Sequence, residues 1–322
     1  MPEADLPPTP AHDSQLRIVF LGPQGVRAGW RLLGFFALVA ALSGAAFFLQ
    51  KTIVHSFGTD FSAANVIVGE SYSFGIVLLA TAIMGRFEQR RLADYGLPLR
   101  RLLGKQFWTG ALWGFVMLSS IVAMMATTHA YSAGGLVLSP LGVLKFGFLW
   151  AVGFLMVGLF EEFAFRGYMQ FTLTTGLGFW PAAAITCTVF AGLHLGNPGE
   201  NWIGAVEIVL IALFLCLALR RTGNLWFAIG WHMAFDWGES FFYSTPNSGI
   251  HATGHMNASL MGSKWLSGGT VGPEASVFDL VVTIAGILLL TRIYPDAKYP
   301  AMTLPGVALD RLPATVAPDS AN

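Results

Sequence analysis

Phe160-Glu161-Glu162-Phe163-Ala164-Phe165-Arg166 places two adjacent carboxylates and a guanidinium inside an apolar run. Leu155 to Leu159 precede it, and Tyr168 to Leu173 follow with only Gln170 and Thr172 as polar interruptions. Charge in hydrocarbon is costly, so an acid at such a position marks a functional site by default. On a helix Glu162 and Arg166 are i and i+4 and can pair. Glu161 then points about 100° away and lacks that partner. An acid held apart from water in this way suits general acid or base work near neutral pH. The competing reading is a structural ion pair at a helix end, with the second Glu in headgroup water. This stretch alone leaves both open.

The surrounding composition makes the apolar setting a membrane. Of 322 residues, 54% are hydrophobic and 11% are charged, whereas soluble domains carry about 25% charged residues. The expected fold class is therefore all-α, a polytopic membrane helix bundle. Net charge is zero, which argues against nucleic acid as a partner. Cys187 and Cys216 both lie in apolar runs and read as small core hydrophobes, with no disulfide frame or zinc knuckle between them.

A bilayer core takes about 20 helical residues. Eight runs read as spans: Trp30–Leu49, Val66–Met84, Phe107–Thr127, Leu141–Leu173, Phe179–Leu195, Ile203–Leu219, Leu225–Phe242 and Val277–Ile293. Residues 1–26 are Pro-rich and read as a disordered cytoplasmic tail without a removable signal peptide, and 300–322 as a disordered C-terminal tail. Between them, 27–299 form the transmembrane domain, with its functional core at about 140–242.

Cytoplasmic loops collect Lys and Arg. Arg17, Arg27 and Arg31 precede span one, and Arg86, Arg90, Arg91, Arg100, Arg101 and Lys105 separate spans two and three. Arg166 lies near the turn after span four, Arg220 and Arg221 follow span six, and Arg292, Lys298 and Arg311 follow span eight. All fall on one side if both termini are cytoplasmic, as in an inner or plasma membrane protein. Lys51 and Lys264 fall outside this pattern, and Lys145 lies within span four.

The long Gly-rich loop Tyr243–Ser276 is then external. Its His251 and His255 are weak metal candidates in a flexible segment. Asn197 and Glu200, after His194, read as solvated.

Further polar residues converge on the Glu pair in depth. His194 closes Phe190-Ala191-Gly192-Leu193-His194, and His232 and Asp236 are i and i+4 in His232-Met233-Ala234-Phe235-Asp236. Glu161 lies roughly 18 Å, and His194 roughly 22 Å, from a cytoplasmic turn near Thr174–Gly178 at 1.5 Å per residue. His232 and Asp236 lie roughly 15 and 21 Å from Thr222 on the same arithmetic. Bundles build their sites from such inward-facing sets. A Glu and a His around one water suit peptide hydrolysis, with a second His and a polar group for the oxyanion. The same Glu161, His194, His232 and Asp236 are also a plausible set for a divalent metal such as zinc, although the spacing is not His-Glu-x-x-His. Residue types alone do not choose between the two.

The ordered motifs Glu-Glu-x-x-x-Arg, Phe-x-x-x-His and His-x-x-x-Asp on successive spans resemble the CPBP family of CAAX prenyl endopeptidase type 2 and bacteriocin-processing proteins, also called the Abi family. They stand here as Glu161–Arg166, Phe190–His194 and His232–Asp236, covering roughly 140–242. Glu88-Gln89-Arg90-Arg91, Tyr95-Gly96-Leu97 and the Gly268–Ser276 loop also look like bacterial members. The resemblance implies an eight-helix intramembrane endopeptidase, with Glu161 as general base acting with His194. It implies oxyanion stabilisation by His232 and residue 236, and supporting or substrate-carboxylate-binding roles for Glu162 and Arg166. CAAX-processing members typically carry Asn at the last position. Asp236, if ionised, cannot donate to an oxyanion, so it is protonated, orients His232 or ligates a metal. The family is often labelled metalloprotease, yet its best mechanistic picture is glutamate-based and metal-independent.

The leading expectation is an intramembrane protease cutting peptides or membrane-anchored proteins near the cytoplasmic leaflet, prenylated or not, in contact with membrane lipids. The alternatives are a non-catalytic scaffold or bacteriocin-immunity protein, and a proton-coupled transporter. Intact Glu161, His194 and His232 disfavour the scaffold, and the lack of an obvious inverted repeat disfavours the transporter. Phe160, Phe163, Phe165, Phe190, Trp231, Phe235 and Trp237 supply aromatic surface for a groove or for ordinary packing.

Overall fold

Helices dominate because a backbone in hydrocarbon must satisfy its own polar groups. The structure is a computed structural model, and it describes residues 19–22, 25–57, 61–199, 201–252 and 254–299. The expected tails lie outside these residues, save for 19–22 and 25–26. There Leu21–Gly22 pairs antiparallel with Gly25–Val26, and Trp30 Nε1 donates to the Val19 carbonyl.

The helices are α1 (Ala28–Phe57), α2 (Ala63–Glu88), α3 (Lys105–Thr127), α4 (Pro140–Glu161), α5 (Gln170–Leu177), α6 (Phe179–His194), α7 (Trp202–Thr222), α8 (Trp226–Trp237) and α9 (Val277–Ile293), with a single turn at Lys264–Ser267. Their ends follow local chemistry. Ser62 and Ser139 cap α2 and α4, the latter with Pro140 in its first turn, and Asn201 accepts from the amides of Ile203 and Gly204 at the start of α7. Gly223, at φ 81°, ends α7 in the left-handed conformation that glycine reaches without strain.

Among the described residues, five helical stretches are long and apolar enough to cross a membrane: Ala28–Phe47, Ala63–Glu88, Lys105–Thr127, Pro140–Leu177 and Trp202–Thr222. The remaining three expected spans coincide with shorter elements: α6, α9, and α8 prolonged by a π-helical turn at Gly238–Phe242. Leu112, Leu141, Leu144 and Phe148 stand exposed on the outer surface, where a soluble protein would bury them. The chain is an integral membrane protein.

Close backbone approach sets the centre of the bundle. A Cβ at Gly110 or Gly114 on α3 would collide with the carbonyl oxygens of Phe227 and Trp231 on α8, and one at Gly230 on α8 with that of Phe107. Gly110 and Gly114 are four apart, the small-residue spacing that lets membrane helices approach. α8 is thereby clamped on α3, and its opposite side packs on α4.

The bundle has two distinct ends. At the basic end, the Leu225 amide donates to Gly96, and the Lys298 amide to Arg220. Arg31 pairs with Glu88, which also accepts from the hydroxyls of Tyr95 and Tyr168. At the other end, Tyr131–Ser132 pairs antiparallel with Ser259–Leu260. There Val137 donates to His255, and Gly249 to Val271. The 243–276 loop is thus folded onto the bundle, where the sequence suggested a flexible one.

Candidate active site

A helix running from Pro140 to Leu177 would be about 57 Å long at 1.5 Å per residue, far more than a bilayer core. It does not run straight. Glu162–Met169 form a π-helical segment, with Gly167 off helical geometry at ψ −112°. Such π-bulges concentrate at functional sites. A Cβ at Gly167 would come within 2.8 Å of the Phe163 ring, so the bend is closed around a residue with no side chain.

The wide turn carries the Glu pair. Glu162 is fully buried, and its Oε1 accepts from Arg166 Nη1 at 3.2 Å, the expected i,i+4 pair. Arg166 is also fully buried and lies 4.3 Å over the Phe190 ring. It therefore does not belong to the cytoplasmic turn assigned to it from sequence, and it does not line the cavity. A substrate carboxylate cannot reach a guanidinium sealed behind Glu162.

Glu161 is not left without a partner. α8 brings His232 between the two carboxylates, its Nδ1 3.0 Å from Glu162 Oε1 and its Nε2 3.5 Å from Glu161 Oε2. The imidazole uses nitrogens on different sides of the ring, so two carboxylates about 100° apart on one helix both meet it. Asp236, one turn on, places Oδ2 3.5 Å from the same Nε2.

His194 is the last residue of α6. Its Nδ1 is 2.8 Å from the Phe190 carbonyl oxygen. Only an N–H can make that bond, which leaves Nε2 of the neutral ring as an acceptor. Glu161, His194, His232 and Asp236 all line one cavity of about 230 Å³. The sequence expectation that Glu161 and His194 face a common space matches this placement, and no direct bond joins them. Of the aromatic set, Phe190, Trp231 and Phe235 line the cavity, whereas Phe163 is core and Trp237 Nε1 bonds the Gly147 carbonyl.

Further polar residues line it to which the sequence assigned no role in the site: Glu70 from α2, Asn197, Asn247, Ser248 and Glu274. Asn197 is half-buried in the wall and not simply solvated; Glu200 lies outside the described residues. Burial pushes the Glu274 carboxyl up to about 7, against the opposing hydrogen bonding from Ser248. Glu207, Glu239 and Asp279 are further acids, fully buried, and Glu70 is a half-buried one. The intramembrane-acid argument, applied to every span, would have found all four. Nothing in a linear sequence marks Asn197, Asn247 or Ser248.

The metal reading fits this geometry poorly. His232 presents one nitrogen to Glu162 and has the other flanked by two carboxylates. Among the described residues, no three His, Cys, Asp or Glu side chains are arranged to hold one ion. His251 and His255 each place Nδ1 on a backbone carbonyl, of Ala252 and Phe241. Cys187 and Cys216 are buried free thiols with sulfurs 3.8 Å apart on α6 and α7.

The fold and cavity define a helical membrane protein whose acid and imidazole side chains gather inside the bundle. Residues 143–238 match the model of the Rce1-like family, described as Type II CAAX prenyl endopeptidase Rce1-like. The matched segment contains every residue of the three motifs. No curated protein matches the chain.

Proposed function

We propose that the chain is an intramembrane endopeptidase that hydrolyses peptide bonds of membrane-associated proteins or peptides with a water activated by Glu161 and His194. The supporting observation is that Glu161, His194, His232 and Asp236, from three different helices, line one small cavity inside the bundle. A cavity of about 230 Å³ admits a few waters and a short extended segment, not a folded domain. The protein sits in an inner or plasma membrane with both termini cytoplasmic.

The chemistry follows from the hydrogen bonds. A water between Glu161 and His194 gives one proton to the carboxylate while its other hydrogen is held by His194 Nε2. The oxygen attacks the carbonyl carbon, and Glu161 returns the proton to the leaving amine. Glu162, paired with Arg166, accepts from His232 Nδ1, so Nε2 donates to the oxyanion only when the ring is an imidazolium. Asp236 beside that nitrogen orients His232 and balances its charge; it does not donate.

The test is cleavage of a diverse peptide library by purified protein in detergent or lipid, read by mass spectrometry. Glu161→Gln should lower the rate by about 10²- to 10⁴-fold, the usual worth of a positioned base. Unchanged cleavage in that variant would remove Glu161 from the mechanism. A chelator should leave the wild-type rate unaltered; loss restored by zinc would establish a metal enzyme instead.

A further inference from the structure

The walls of the cavity report which face of the membrane it serves. Six of its lining residues lie outside α1 to α9: Phe61, Asn197, Asn247, Ser248, Ile250 and Glu274. Phe61 lies between α1 and α2, Asn197 between α6 and α7, and the other four between α8 and α9. These connections all lie at one end of the bundle. The connections at the other end join α2 to α3, α5 to α6 and α7 to α8, and among the described residues they contribute nothing to the lining. His194, the last residue of α6, stands at the end that does.

Most basic residues divide along the same line, with Lys145 and Lys264 on the cavity side. Arg86, Arg90, Arg91, Arg100, Arg101, Arg220, Arg221, Arg292 and Lys298 lie at the end that does not line the cavity. Lys and Arg collect on the cytoplasmic side. The cavity therefore lies toward the opposite face, and cleavage near the cytoplasmic leaflet, the leading expectation from the sequence, does not fit this geometry.

We infer that the cavity is reached from the extracytoplasmic side, and that its substrates are extracytoplasmic segments of membrane-anchored proteins or exported peptides. The substrate part rests on the endopeptidase reading above; the sidedness does not. On this inference the 243–276 loop is the outer wall of the site, and a substrate strand enters beneath it beside Asn197 and Asn247.

Thiol labelling in sealed membrane vesicles of both orientations tests the side without reference to activity. Asn197→Cys reports the cavity wall, Met261→Cys the exposed outer loop, and Arg100→Cys the basic end. Cys187 and Cys216 are buried, so the unmodified protein supplies the background. A membrane-impermeant maleimide should label the first two in right-side-out vesicles and the third only in inside-out vesicles. The reverse pattern overturns the inference, and Met261→Cys alone decides it if Asn197→Cys does not fold. A water-soluble peptide cleaved by the detergent-solubilised protein should then be cut when added outside right-side-out vesicles. Cutting confined to inside-out vesicles also overturns it. No cutting in any preparation, detergent included, counts against the endopeptidase reading while the labelling still decides the side.

Discussion

His232 is bonded to one carboxylate and flanked by two others, and Arg166 is sealed beneath them. Removing one member of a buried ion pair leaves the other uncompensated and costs about 3–5 kcal/mol, whereas an apolar replacement of both is often tolerated. Arg166→Met should therefore lower the melting temperature sharply. The double variant Glu162→Leu with Arg166→Met should recover much of that loss but not peptide cleavage, because His232 then has no acceptor for Nδ1. Recovery of both would mean that Glu162 only neutralises Arg166. The comparison needs thermal unfolding and the cleavage assay on the same three preparations.

At the scale of the element, α8 positions the site and glycines position α8. A Cβ at Gly114 would strike the carbonyl oxygen of Trp231, the residue before His232. Backbone cannot yield as a side chain can. Gly114→Ala should cost about 1–3 kcal/mol, as overpacking does, and should depress cleavage through a shifted His232. Gly286→Ala on α9 is the contrast: its Cβ would meet the end of the flexible Met117 side chain at 2.9 Å. That variant should unfold and cleave close to wild type. Equal losses in the two would show that helix spacing, not the register of α8, limits the site.

For the whole molecule, pH acts through the outer wall. Glu274 has an ordinary carboxyl value of 4.5, raised to about 7 by burial in the folded state. A raised carboxyl value means that the folded protein holds the proton more tightly than the unfolded chain does. Stability from this group is complete below about 4.5 and is lost as pH rises through about 7. The melting temperature should fall between pH 5 and 8 in the wild type and fall less in Glu274→Gln, as differential scanning calorimetry on both proteins would show. Parallel curves would mean that the buried carboxyl does not couple to folding of the loop.

The class of molecule and the chemical inventory are legible in the sequence. Apolar runs of bilayer length dictate helices, since nothing else in hydrocarbon satisfies the backbone, and charge inside those runs singles out Glu161, Glu162, Arg166, His194, His232 and Asp236. It held the small-residue pair Gly110 and Gly114 too, although their meaning needs the partner helix. Tertiary structure decided the rest. The π turn at Glu162–Met169, the placement of His232 between both carboxylates, the sealing of Arg166, and the entry of Asn197, Asn247 and Glu274 into the wall depend on residues far apart in the chain. Periodicity reports which face of a helix is apolar and how deep a residue lies. It carries no information about which helix stands opposite, or which loop folds back over the end, because those are set by packing between segments that the sequence keeps apart.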